Sequence, residues 1–173
     1  MVTDMSQPAA TTIFHTIVWA TDGRARGDLA YGYVREMCER HGSSLRIVHV
    51  ARPLDGGAGE RRIVKLKAMT SSLRRHGVDA SLHVVRGAVG SPADQIAEVA
   101  KMCDADLIVV ATHGRPRLQG AIAGSVTQRL LGEAPCAVLI LTAASVSVPA
   151  AVRWSARSPC STAATAAPTA LTT

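Results

Sequence analysis

What the chain has little of narrows its role before any motif is read. Aromatic residues make up 3% of it, one Phe, two Trp and two Tyr, so few stacking platforms exist for single-stranded nucleic acid. The four cysteines, Cys38, Cys103, Cys136 and Cys160, form no C-x2-C pair. Neither a zinc site nor a thioredoxin-like motif is suggested, and the first three read as small buried hydrophobes. No segment approaches the roughly 20 apolar residues that a membrane span requires. Residues 1–12 contain an acid, no base and no apolar run, which reads as neither signal peptide nor anchor, and cytoplasmic residence is expected. A Walker-type G-x4-G-K-[ST] is absent. Acids are outnumbered, 13 against 19 Lys and Arg, giving a net charge of +6. That excess allows weak attraction to acidic partners but supports no specific nucleic-acid role.

What is present is one domain's worth of core. A chain of 173 residues that is 47% apolar fits a single domain with tails, read here as an extension over 1–12, a domain over 13–142 and an Ala/Ser/Thr/Pro-rich tail over 143–173. The tail carries only Arg153 and Arg157 as charges and buries too little to offset its chain entropy, so it is expected to be mobile. Within the domain, strand-like runs alternate with helical ones. Ile13 to Ala20 is a strand ending in Thr21, Asp22 and Gly23. Gly27 to His41 follows the helical rule through Leu29, Ala30, Tyr33, Val34, Met37 and Cys38, and Gly42 ends it. Ser44 to Val50 is the second strand, in which His49 reads as a packed, hydrogen-bonded residue rather than a catalyst. Arg52 to Gly59 reads as a Pro/Gly-rich loop leading into a basic helix, Glu60 to His76, with Ile63, Leu66, Met69 and Leu73 as its stripe. Ala80 to Arg86 is the third strand. Ser91 and Pro92 then begin a helix as N-cap and first residue, with Ile96, Val99, Ala100 and Cys103 buried.

The chain is organised around the stretch from Asp106 to Leu141. Leu107 to Ala111 has the unbroken apolar character of a strand covered on both faces. It stops at Thr112, His113 and Gly114. Gly124 and Ser125 then open a helical segment, in which Val126, Leu130 and Leu131 are read as one face, and Ala137 to Leu141 is a last strand. Five strands alternating with four helices predict a parallel doubly wound α/β sheet. A helix start leaves unpaired N–H groups at the positive end of the macrodipole, so Gly124, Ser125 and Val126 suit an anion. The plainer reading, Ser125 as a simple N-cap, stays open at this point. Arg24, Arg26, Arg115 and Arg117 are the nearest cations, and arginine matches phosphate oxygens bidentately.

The loop resembles the nucleotide loop of the universal stress protein family, G-x2-G-x9-G-[ST] directly after the fourth strand. The pattern falls on Ala111, Gly114, Gly124 and Ser125, three of its four defined positions matching. TIVWATDGRA, LRIVHVARP, GSPADQIAEVAKMCDADLIVVATHGR and APCAVLIL resemble the same family, over roughly Ile13 to Leu141. The resemblance implies strand order 3-2-1-4-5 in a Rossmann-like fold of the adenine nucleotide alpha hydrolase type, with helices on both faces and dimerisation through the last strand. It implies ATP as ligand, with AMP and ADP as alternatives and Mg accompanying the nucleotide near Asp22. The binding residues it implies are Ala20, Thr21, Asp22, Val50, Ala111, His113, Gly114, Arg115, Gly124, Ser125, Val126 and Thr127. Asp22 would lie near base, ribose or metal, and the backbone around Val50 near adenine. The other reading of Asp22 is a turn aspartate bonding its own backbone.

Alanine in place of the first loop glycine is the one departure. A positive φ at Ala111 would cost about 1–2 kcal/mol, whereas a negative φ leaves only an added methyl near the ribose. The expected function is a nucleotide-binding regulatory module of the stress response that meets other proteins through its surface. The alternatives are a nucleotide-free dimeric interaction module of the same fold and a weak ATPase. Phosphoryl transfer needs a metal clamp and a positioned base, and Asp22 is the only carboxylate the sequence places at the crevice.

Overall fold

Five apolar runs pair side by side into one parallel sheet of order β3-β2-β1-β4-β5. The computed structural model describes residues 13–24, 29–52, 55–86, 90–111 and 125–142. The elements are β1 (Thr16–Ala20), α1 (Leu29–His41), β2 (Ser44–Ala51), α2 (Gly56–Arg75), β3 (Ala80–Arg86), α3 (Pro92–Met102), β4 (Leu107–Ala111), α4 (Ser125–Glu133) and β5 (Ala137–Leu141). The predicted strand order and helix count are those observed. The proposed ends of the chain, residues 1–12 and 143–173, lie outside the described residues.

Because side chains alternate along a strand, the sheet builds two cores. Ile17, Trp19, Leu45, Ile47 and Val109 point to one face, where they meet Ala30, Val34 and Cys38 of α1 and Leu66 and Leu73 of α2. Val18, Val48, Ile108 and Val110 point to the other, against Ala93, Ile96 and Ala100 of α3 and Leu130 of α4. β1 is central, paired with β2 through Ile17↔Leu45 and with β4 through Ile17↔Leu107. Cys38 behaves as the small hydrophobe expected of it. Burial, with Glu39 alongside, pushes its thiol up to about 11, which leaves it unreactive.

Three local expectations are corrected. β1 begins at Thr16 rather than Ile13, because its neighbours begin level with Thr16 and Ile17, and Ile13 stays exposed. α2 begins at Gly56, so Gly56 to Gly59 are helical rather than loop. Gly59 is buried there, and a Cβ on it would come within 2.9 Å of the Asp55 Cβ. The glycine that reads as flexibility in the sequence is what lets this first turn close. In α4, Leu131 is exposed while Thr127 is buried beside Leu130, so the apolar face is Val126, Thr127 and Leu130.

α3 starts with the predicted Ser91 cap, completed as a capping box by Asp94. Asp94 also meets Arg129 of α4, Oδ1 to Nε at 2.9 Å, and Arg129 pairs with Glu133. Exposed pairs of this kind add little stability. Their effect is to set α4 against α3, which places the start of α4 at the sheet's carboxyl edge.

At the opposite edge, Asp106 Oδ2 accepts the N–H groups of His15 at 2.7 Å and Thr16 at 2.8 Å. The Thr16 N–H first, then that of His15, holds this carboxyl below the usual carboxylate range against the opposing effect of burial. Bonds to a charged acceptor contribute about 1.5–3 kcal/mol, and Asp106→Ala is expected to lose stability on that scale in urea unfolding at neutral pH. A carboxyl whose folded value is depressed stabilises above its unfolded value, and loses the effect as pH falls through the folded one. The gap between variant and parent should therefore close below pH ~3.9. A gap that stayed constant into acid would contradict the assignment.

Candidate functional site

The sheet's carboxyl edge opens into a cavity of about 370 Å³. Three strands end at it, and the starts of α2, α3 and α4 close its sides. Of the sequence-predicted residues, Ala20, Thr21, Asp22, Val50, Ala111, Ser125, Val126 and Thr127 all line it. His113, Gly114, Arg115 and Gly124 lie outside the described residues, as do Arg26 and Arg117. Asp22 and Ser125, 103 residues apart in sequence, share this one space because β1 and β4 are neighbours.

Each wall has a local cause. β1 ends at Ala20, and Thr21 keeps register by donating its N–H to the Val48 carbonyl at 3.0 Å. Thr21 Oγ1 accepts the Gly23 N–H at 3.1 Å, and Asp22 Oδ1 accepts the Arg24 N–H at 3.0 Å. Asp22 is thus a turn aspartate and a cavity residue at once, so the two sequence readings are not exclusive. Arg24 also lies 3.5 Å from its carboxylate and lines the same space. Gly23 has φ +70°, and a Cβ there would stand 2.9 Å from the Arg62 Cβ. Both the turn and the approach of α2 require glycine at that position.

His49 is packed as expected, 1% exposed, with Nδ1 3.0 Å from the Thr21 carbonyl. The carbonyl can only accept, so Nδ1 donates and the ring is fixed in that tautomer. Ala111 ends β4 in register with Leu141. Among the described residues Asp104 is the one non-glycine with positive φ, at 47°, so Ala111 is extended and carries no left-handed strain. On the α4 side, Ser125, Val126 and Thr127 form the first helical turn and all line the cavity; N–H groups of such a turn have no partner within their own helix.

Sequence reasoning missed the side built by α2. Arg52, Asp55 and Arg62 line the cavity, with Arg62 Nη1 3.1 Å from Asp55 Oδ1 and both side chains about four-fifths buried. The Arg62 side chain, then the Arg52 N–H, holds the Asp55 carboxyl below its usual range against the effect of burial. The signal was the seven-residue spacing of Asp55 and Arg62, two helical turns, visible only once α2 starts at Gly56. Pro92 and Ile96 of α3 supply an apolar side opposite. Among the described residues no group of three or more potential metal ligands is found, and no helix is long and apolar enough to cross a membrane.

A doubly wound parallel sheet with its cavity where the strand order reverses, between β1 and β4, defines an α/β protein of the kind that receives ligands at a topological switch point. The sequence profile described as Universal stress protein family matches residues 14–142. The chain belongs to that family. It is 31% identical to the universal stress protein in the QAH/OAS sulfhydrylase 3′ region of Thermus aquaticus, over 75% of this chain and 99% of the relative. Among solved structures it is similar to a universal stress protein of Archaeoglobus fulgidus, at 23% identity and TM-score 0.59, covering 74% of this chain and 93% of that one; this likeness shows the fold. It is also similar to a universal stress protein in complex with cAMP, at 25% identity and TM-score 0.57, covering 74% of this chain and 96% of that one.

Proposed function

We propose that the chain is an adenine-nucleotide-binding regulatory module of the stress response, with ATP as ligand and nucleotide occupancy altering how its surface meets other proteins. The observation that carries this reading is the convergence of Asp22, Val50 and the first turn of α4 on one cavity. A universal stress protein in complex with cAMP, similar to this chain at 25% identity, supports the adenine class. The helix start offers N–H donors to phosphates, Arg24 and Arg52 add positive charge, and Ile96, Val48 and Val50 offer apolar surface to a base. Asp22 is the carboxylate that would meet a magnesium ion carried by the nucleotide. In the same reading the module is a homodimer through β5, an edge strand whose Val138, Leu139 and Ile140 are only partly buried, and it works in the cytoplasm.

A second reading, a dimeric interaction module without nucleotide, is favoured by the Ala111 methyl at the cavity wall. One titration separates the two. ATP and AMP are added to the purified protein and to Ala111→Gly, with binding followed by calorimetry. Because Ala111 pays no backbone strain, the parent is expected to bind and the glycine variant to gain less than tenfold. Binding that appears only in Ala111→Gly would transfer the assignment to the second reading.

A further inference from the structure

Away from the cavity, and sharing no residue with it, a groove runs between α2 and β3. Its floor is Ile63, Leu82 and Val84, and its rim carries Lys67, Arg74 and Arg86, the last paired with Glu60 at 2.9 Å. Three features point to what it accepts. β3 is a terminal strand seven residues long and contains no proline, so its outer edge is a template for another strand. Leu82 and Val84 are only part-buried beside it, and Val64, one helical turn from Lys67, is 65% exposed. The third is charge: α2 holds Arg61, Arg62, Lys65, Lys67, Arg74 and Arg75 against Glu60 alone.

We propose that this groove docks an acidic, extended segment of a partner protein, which adds to the sheet as a sixth strand beside β3. Main-chain bonds to the edge supply affinity, and alternate side chains supply selectivity. Small apolar groups of the segment lie on Ile63, Leu82 and Val84, and carboxylates face Lys67 and Arg74. Charge disfavours two other occupants. Residues 143–173 contain no acid and two arginines, and two copies joined edge to edge would set Lys67, Arg74 and Arg86 against their own counterparts. An apolar floor without one aromatic ring disfavours single-stranded nucleic acid.

The test uses the full chain and a fluorescent heptapeptide, Glu-Thr-Val-Thr-Val-Thr-Glu, whose glutamates and valines share one strand face, with binding read by anisotropy and located by NMR. The peptide is expected to shift the resonances of Ile63, Leu82 and Val84, and to bind at least tenfold more weakly to Lys67→Glu/Ser71→Glu. Both positions are on α2, whose helix accepts glutamate. The same peptide methylated on alternate backbone nitrogens should lose binding, which ion pairing alone would not produce. Undiminished binding to the double variant, or equal binding of the methylated peptide, would overturn the proposal. So would the absence of any shift at β3, or tighter binding of a thymidine oligonucleotide of equal charge at the same resonances.

Discussion

Ser125→Asp is expected to weaken ATP binding at least tenfold while leaving the fold as stable as before, or slightly more so. The two effects have opposite signs at one atom. Ser125 opens α4 and lines the cavity, and an acid in a helix's first turn is favoured by the macrodipole by about 0.3–1 kcal/mol. α4 has no acid there now. A phosphate drawn to the same amides would meet that carboxylate at close range. Two like charges 4 Å apart repel by about 4 kcal/mol at an effective dielectric constant near 20. Even half of that, after screening, exceeds the 1.4 kcal/mol that makes a tenfold change in affinity. Thermal unfolding without ligand and calorimetric titration with ATP read the two effects separately. Unchanged affinity would remove the start of α4 from the site, whereas a loss of both affinity and stability would mean only that the helix had been damaged.

The largest effect on stability is expected at Trp19, where alanine and phenylalanine should behave very differently. Trp19 sits in the central strand with no exposed surface, its ring 6.2 Å from that of Tyr31 at 51°. Truncation of such a residue to alanine costs about 3–5 kcal/mol through lost contacts and the remaining void. The indole Nε1, however, is buried and has no hydrogen-bond partner among the described residues, and an orphaned buried donor costs about 1–3 kcal/mol. Trp19→Phe leaves a smaller void and removes that donor, so the two changes offset and the variant should lie within about 1 kcal/mol of the parent. The midpoint of urea unfolding at unchanged slope measures both. Equal losses in the two variants would show that packing alone sets the cost. The consequence reaches the cavity, because Trp19 holds the strand that ends in Ala20, Thr21 and Asp22.

How much of this was legible depends on the range of the interactions. β3, β4 and β5 are observed with their predicted bounds: β4 and β5 advertise themselves by unbroken apolar runs, and β3, with its mixed ASLHVVR sequence, by partial alternation. The start of α3 was legible because Ser91 and Pro92 act on their own neighbours. The start of α2 was not. Gly56 to Gly59 has the composition of a loop, and it is helical because Asp55 packs closely over Gly59 and reaches Arg62, contacts that propensity does not register. Leu131 was placed on the wrong side: five residues on from Val126 it lies about 140° round the helix, and Thr127 and Leu130 are buried instead.

The chain by itself determined its alternation of strands and helices, its family and about half of one cavity's wall, because hydrophobic period, capping and loop motifs are written over a few consecutive residues. Only the tertiary structure decided that Ala111 is unstrained, that Arg52, Asp55 and Arg62 line the cavity, and that β3 is the terminal strand among the described residues, beside a basic helix. A backbone torsion, the approach of α2 to the ends of β1 and β2 and the terminal place of a strand each depend on which segments become neighbours, and adjacency in space is set by the whole packed sheet.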